Sequence, residues 1–198
     1  RRIGHVNLPT KLTVLRVVLT FLIMGLLFVP GPLPKALCVG LFVLAALTDW
    51  WDGWLARKTG QISALGVLLD PIADKVLVIG LLLAFVQLGL VRAWMVLVIA
   101  VREFLITGIR LYAARGHVVI AAAREGKHKT VSQMMTIFVI LSMLLAKELL
   151  PNVSAEPFDL WMPRVIDGCM WVTVVLTVWS GAMFFWRNRA VLREVVKG

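Results

Sequence analysis

Acidic residues are scarce in this chain: 11 aspartates and glutamates face 21 lysines and arginines, a formal net charge of +10. Such a balance could serve nucleic acid, but the cations are divided among separate connections rather than gathered on one folded face, which argues against that partner. Cysteine is nearly absent as well. Cys38 and Cys169 both lie in apolar segments with neither a CxxC pair nor a histidine partner, so buried thiols are expected. The three histidines, His5, His117 and His128, have no metal-ligand spacing and are expected in surface loops. No internal repeat or low-complexity tract occurs. The first apolar run ends at Pro30 without a small-residue cleavage pattern, so a retained helix is expected there rather than a signal peptide.

What the chain has in abundance is apolar sequence. Hydrophobic residues make up 60% of it, and the mean hydropathy of +0.90 is far above that of an ordinary soluble domain. A spanning helix takes about 20 residues, so 198 residues suit one bundle and leave no room for a second domain. The expectation is an all-α, polytopic membrane protein, a single domain over residues 1–198 built from six transmembrane helices. These are expected at about 10–29, 35–57, 64–89, 93–114, 130–150 and 164–186, with a loop over 151–163 and a kink or distorted turn at Pro71. Arg1, Arg2, Lys11, Arg57, Lys58, Arg110, Arg115, Arg124, Lys127, Lys129, Arg187, Arg189, Arg193 and Lys197 then share one face; only Lys35, Arg92, Lys147 and Arg164 take the other. The positive-inside bias makes the first face, and with it the N- and C-termini, cytoplasmic. Eight tryptophans, mostly at segment ends, fit interfacial anchors.

Against this background the stretch TDWWDGWLARKTGQISALGVLLDPIADK, residues 48–75, stands out. It places Asp49, Asp52, Asp70 and Asp74 in apolar surroundings. Uncompensated at the bilayer centre, each carboxylate would cost about 2.5–3.5 kcal/mol on insertion scales. On helices, Asp49 and Asp52 share a face, as do Gly66, Asp70 and Asp74. A short turn between the two helices would bring their ends together. Clustered carboxylates suit two hard divalent cations, Mg²⁺ or Mn²⁺, and a metal pair can clamp both oxygens of a phosphoryl transfer. Gly53, Ala56 and Gly66 remove bulk beside the acids, and Arg57 is placed for a phosphate. A proton or cation pathway, or a structural charge network, remains open from composition alone.

The spacing D-x2-D-G-x2-A-R-x8-G-x3-D-x3-D resembles the signature of the CDP-alcohol phosphatidyltransferase family, with Asp49, Asp52, Gly53, Ala56, Arg57, Gly66, Asp70 and Asp74 at its specified positions. The resemblance implies a six-helix membrane enzyme, commonly a homodimer, that transfers a phosphatidyl or related group from a CDP-linked donor to an alcohol and releases CMP. It implies that Asp49, Asp52 and Asp70 hold the metals, that Asp74 is the general base and a further metal ligand, and that Gly53, Ala56 and Arg57 line the CDP site beside Gly66. Asn7 and Thr10 would touch the nucleotide or cap the first helix.

NLPTKLTVLR (residues 7–16), VREFLITGIR (101–110) and GKHKTVSQM (126–134), with the acid-rich stretch, resemble the family members that join CDP-diacylglycerol to sn-glycerol 3-phosphate. That implies a bacterial inner-membrane enzyme whose active site faces the cytoplasm and membrane lipid. A phosphorylated acceptor needs cations, and Arg102, Arg110, Arg124, Lys127 and Lys129 are candidates, with Thr130 and Gln133 beside them; positive-inside topology is the alternative for each. Arg102 adjoins Glu103 and could pair with it instead. Arg16 could snorkel to the interface or enter a polar cavity. A sister enzyme using inositol phosphate or another alcohol, or a small cation transporter, are the competing functions.

Overall fold

The computed structural model describes the backbone of residues 8–59, 64–115, 125–150 and 155–189, and the side chains of residues 14–48, 75–113, 129–150 and 159–189. Among the described residues there are six α-helices and no strand: α1 Leu8–Leu27, α2 Pro32–Thr59, α3 Ala64–Gln87, α4 Ala93–Arg115, α5 Glu125–Leu149 and α6 Ala155–Arg187.

The turns at one end of the bundle follow from local chemistry. Gly31, at φ 109°, closes the α1–α2 link, and Pro32 and Pro34 then occupy the first turn of α2, where a missing N–H costs nothing. Lys35 lies buried beneath this link and donates from Nζ to the carbonyls of Leu27 at 2.6 Å and Val29 at 2.9 Å. It thereby satisfies acceptors that the end of α1 leaves open. α3 ends in a Schellman turn: Gly89 adopts φ 72°, its N–H bonds Val86 O at 3.0 Å, and the Leu90 N–H bonds Phe85 O at 2.9 Å.

α3 is the central helix. Leu77, Leu81, Leu82, Ala84 and Phe85 are fully buried on it, and it packs on α1, α4 and α5. Gly80 permits the close approach of α1: a Cβ there would lie 3.0 Å from Thr20 Cγ2 and 3.4 Å from Met24 Sδ. α4 and α6 run parallel, since Arg92–Asp167, Trp94–Trp171, Arg102–Ser180 and Arg110–Phe184 contacts advance along both helices in the same direction. α5 and α6 run antiparallel along a hydroxyl seam in which Thr173 Oγ1 is 2.8 Å from both Ser132 Oγ and Thr136 Oγ1. Hydrogen bonds of this kind join helices where apolar surroundings offer no other partner.

Large apolar side chains also cover the outside. Phe21, Leu33, Leu97, Phe138 and Trp179, from five different helices, are exposed, a surface that water would penalise and acyl chains would not. Two described stretches, Lys129–Leu149 and Asp159–Arg187, are long and apolar enough to cross a membrane; Val14–Leu27, Pro32–Thr48 and Lys75–Gln87 are shorter apolar helical stretches.

The structure corrects several sequence expectations. α6 begins at Ala155, so residues 155–163 are helix rather than loop. Pro157 falls in its first turn, where it is tolerated. The helix continues through Pro163 because Met162 and Ile166, on either side of it, are buried in the core. α5 begins at Glu125, which puts His128 in a helix rather than a loop. α3 runs through Pro71, in keeping with the single helix expected over this stretch. Cys38 is buried as expected, whereas Cys169 is only half-buried. Of the two alternatives open for Arg16, the structure takes the interior one: the residue is 1% exposed.

Candidate active site

Four helices bring polar side chains to one buried point. Glu103 on α4, itself buried, is its centre. The Lys129 ammonium on α5 makes a close ion pair with Glu103 Oε1, and Lys75 Nζ on α3 stands 3.9 Å from Oε2. Arg102 Nη1 is 3.4 Å from Oε1, and Gln133 Nε2, one turn on from Lys129, donates to the same oxygen at 3.5 Å. α6 completes the set: Arg102 Nη2 donates to Ser180 Oγ at 2.8 Å, and the Ser180 hydroxyl in turn donates a hydrogen bond to the Thr177 carbonyl at 3.2 Å. The stem of Arg102 lies on Gly181, where a Cβ would come within 3.3 Å of Arg102 Cγ. A side chain at 181 would require the Arg102 stem to give way by a few tenths of an ångström.

Burial decides what this arrangement can do. Removing ions from water costs several kcal/mol each unless close partners replace the hydration. Here one carboxylate meets three cations from three helices, so positive charge is in excess within the group, which suits an anionic ligand. Among the described residues, the buried Arg102 Nε, Arg110 Nε and Thr177 Oγ1 have no hydrogen-bond partner, and all three belong to the α4–α6 seam. Buried polar atoms left in that condition call for a ligand or water.

The sequence-predicted residues are distributed as follows. Arg102, Lys129 and Gln133 are brought together, and Thr130 is half-buried beside them on α5. Arg110 lies two turns beyond Arg102 on the same face of α4, with its guanidinium 5.4 Å from the Phe184 ring centroid. Its described contact is with α6 rather than with the Glu103 group. Lys127 is on α5 and Thr10 on α1, both with side chains outside the described residues, while Asn7 and Arg124 lie outside altogether. Asp49, Asp52, Gly53, Ala56 and Arg57 occupy the last turns of α2; Gly66, Asp70 and Asp74 occupy the first half of α3. Their side chains also lie outside the described residues, and among the described residues no group of three His, Cys, Asp or Glu could hold a metal. The two halves of the candidate site adjoin along the chain, because Lys75 follows Asp74 directly.

Sequence reasoning assigned no role to Lys75, Ser180 or Gly181. A signal for the latter two was present: a Ser-Gly pair within the apolar run of α6 is the kind of small, polar step that admits a neighbouring helix or a long side chain.

Comparison with known proteins follows the same lines. The family model for CDP-alcohol phosphatidyltransferase matches residues 6–179. The chain is 38% identical over 199 aligned residues to the CDP-diacylglycerol--glycerol-3-phosphate 3-phosphatidyltransferase of Bacillus subtilis (strain 168), covering 94% of this chain and 97% of the relative. The proteins of the same name from Pectobacterium atrosepticum (34% identical, 93% and 94% covered) and Rickettsia bellii (32% identical, 90% and 93% covered) are similar over nearly the same span.

Proposed function

This chain belongs to the CDP-alcohol phosphatidyltransferase family, and we propose that it transfers the phosphatidyl group of CDP-diacylglycerol to sn-glycerol 3-phosphate, giving phosphatidylglycerophosphate and CMP. The observation that carries the acceptor is the convergence of Lys75, Arg102 and Lys129 on Glu103, in a chain whose relatives are named for glycerol 3-phosphate. A phosphorylated acceptor needs such a group of cations; a neutral alcohol does not.

The donor set of the signature fits divalent metal. Asp49 and Asp52 stand three residues apart on α2, and Asp70 and Asp74 four apart on α3, so each pair falls on one helix face and offers hard oxygen ligands. Asp49, Asp52, Asp70 and Asp74 would hold two Mg²⁺ or Mn²⁺ ions, which when bound would offset charge on the donor's diphosphate. Asp74 takes the proton of the acceptor hydroxyl as that oxygen attacks the phosphorus bearing diacylglycerol, and CMP departs. Arg57 pairs with a donor phosphate; Gly53, Ala56 and Gly66 leave room for the nucleotide, which Asn7 and Thr10 contact. Arg102, Lys129, Gln133 and Thr130 receive the acceptor phosphate, with Arg110, Arg124 and Lys127 along its path.

The same reading takes all six helices as membrane spans, with both termini and the active site on the cytoplasmic side of a bacterial inner membrane and two copies forming a homodimer. The cation distribution and the apolar outer faces support the spans and their orientation; the homodimer follows from the family resemblance. The test is CMP release by purified protein given CDP-diacylglycerol, Mg²⁺ or Mn²⁺, and a panel of alcohols. Glycerol 3-phosphate is expected to support turnover best; preference for inositol phosphate or a neutral alcohol would reassign the acceptor, and silence with every alcohol would remove the transferase reading.

A further inference from the structure

Glu103 has no place in the signature and no part in the chemistry described above, yet it is a common partner of three cations, Lys75, Arg102 and Lys129. It is 7% exposed. Lys75 of α3, Arg102 of α4 and Lys129 and Gln133 of α5 all direct side-chain nitrogens at its two oxygens, and Arg102 carries the link onward to Ser180 of α6. Three cations in a buried site repel one another, and a carboxylate shared by all three offsets that repulsion and fixes where their charged ends meet. A structural ion pair would need one cation; this carboxylate gathers three.

We propose that Glu103 is a positioning residue for acceptor binding: its carboxylate sets the spacing of Lys75, Arg102 and Lys129 so that together they receive the phosphate of the acceptor, and it touches neither the reacting phosphorus nor the donor. This rests on the acceptor assignment above. Glu103 carries negative charge and so is itself a poor neighbour for phosphate; its value lies in holding the ammonium and guanidinium groups at fixed places, so that the acceptor meets a prearranged site instead of ordering three flexible chains on arrival.

The experiment compares wild type, Glu103→Asp and Glu103→Gln by CMP release, varying glycerol 3-phosphate and CDP-diacylglycerol separately, with thermal unfolding in detergent alongside. For E103Q the KM for glycerol 3-phosphate is expected to rise about tenfold or more while that for CDP-diacylglycerol stays within about twofold, the split that loss of acceptor binding produces. E103D keeps the charge but withdraws it by one methylene, and is expected between the two at about threefold. If E103Q does not fold, E103D alone decides: an acceptor KM equal to that of wild type overturns the proposal. So does a variant that changes both KM values equally, or one that loses thermal stability with both unchanged, either of which makes Glu103 a structural ion pair only. Wild type inactive with glycerol 3-phosphate would instead be a failure of the acceptor assignment, visible before any variant is measured.

Discussion

The two ends of the bundle use positive charge in opposite ways. At the end formed by the α1–α2, α3–α4 and α5–α6 links, each cation has its own local partner: Lys35 takes two carbonyls of the α1 terminus, Arg92 takes Asp167 at 2.9 Å, Lys147 takes Asp159 at 2.8 Å, and Arg164 stacks 5.5 Å from the Trp161 ring centroid. Toward the other end, Lys75, Arg102 and Lys129 share the single carboxylate of Glu103. The exposed pairs Arg92–Asp167 and Lys147–Asp159 contribute little energy, and the buried Lys35 directs its charge to the carbonyls of one helix end. Convergence in a buried position is costly for the fold, and such a cost is what a binding site for an anion requires.

Three substitutions sharpen or break that contrast. The largest effect is expected from Asp74→Asn, beside the convergent group: CMP release should fall about 10²–10⁴-fold, the range for loss of a general base, while CDP-diacylglycerol binding persists. Full turnover in that variant would detach the signature from the chemistry. Next comes Lys129→Gln, which removes a charge-assisted contact of about 1.5–3 kcal/mol and so should raise the KM for glycerol 3-phosphate about 10- to 100-fold. An unchanged acceptor KM would return Lys129 to the role of a cytoplasmic topology signal. The smallest effect belongs to the paired end: Lys147→Ala should alter unfolding free energy by less than about 1 kcal/mol with CMP release unchanged. A strong loss of activity there would mean that the two ends are not divided as their pairing indicates.

How far the sequence could be read depends on the range of the physics involved. Helix starts at Ala64 and Ala93 were legible because apolar runs and turn residues are local signals. The first turns of α6 were not: Pro157, Pro163 and the polar residues around them resemble a loop until Met162 and Ile166 are seen to be buried. Arg16 was equally balanced between surface and interior, and only the packing of α1 draws it in. Arg102, Lys129 and Gln133 could be nominated as acceptor ligands from charge and position, but their common partner could not, because Glu103 beside Arg102 reads as a simple neighbouring pair.

By itself, then, the sequence determined an apolar chain of six helical segments and the spacing of four aspartates along two of them, since hydropathy and helical period add up residue by residue. The tertiary structure decided which polar groups meet. Lys75, Arg102, Glu103, Lys129 and Ser180 come from four helices, and their meeting depends on how each helix is rotated about its axis and how closely Gly80 and Gly181 let their neighbours approach. Those are properties of packed surfaces, and no window along one helix contains them.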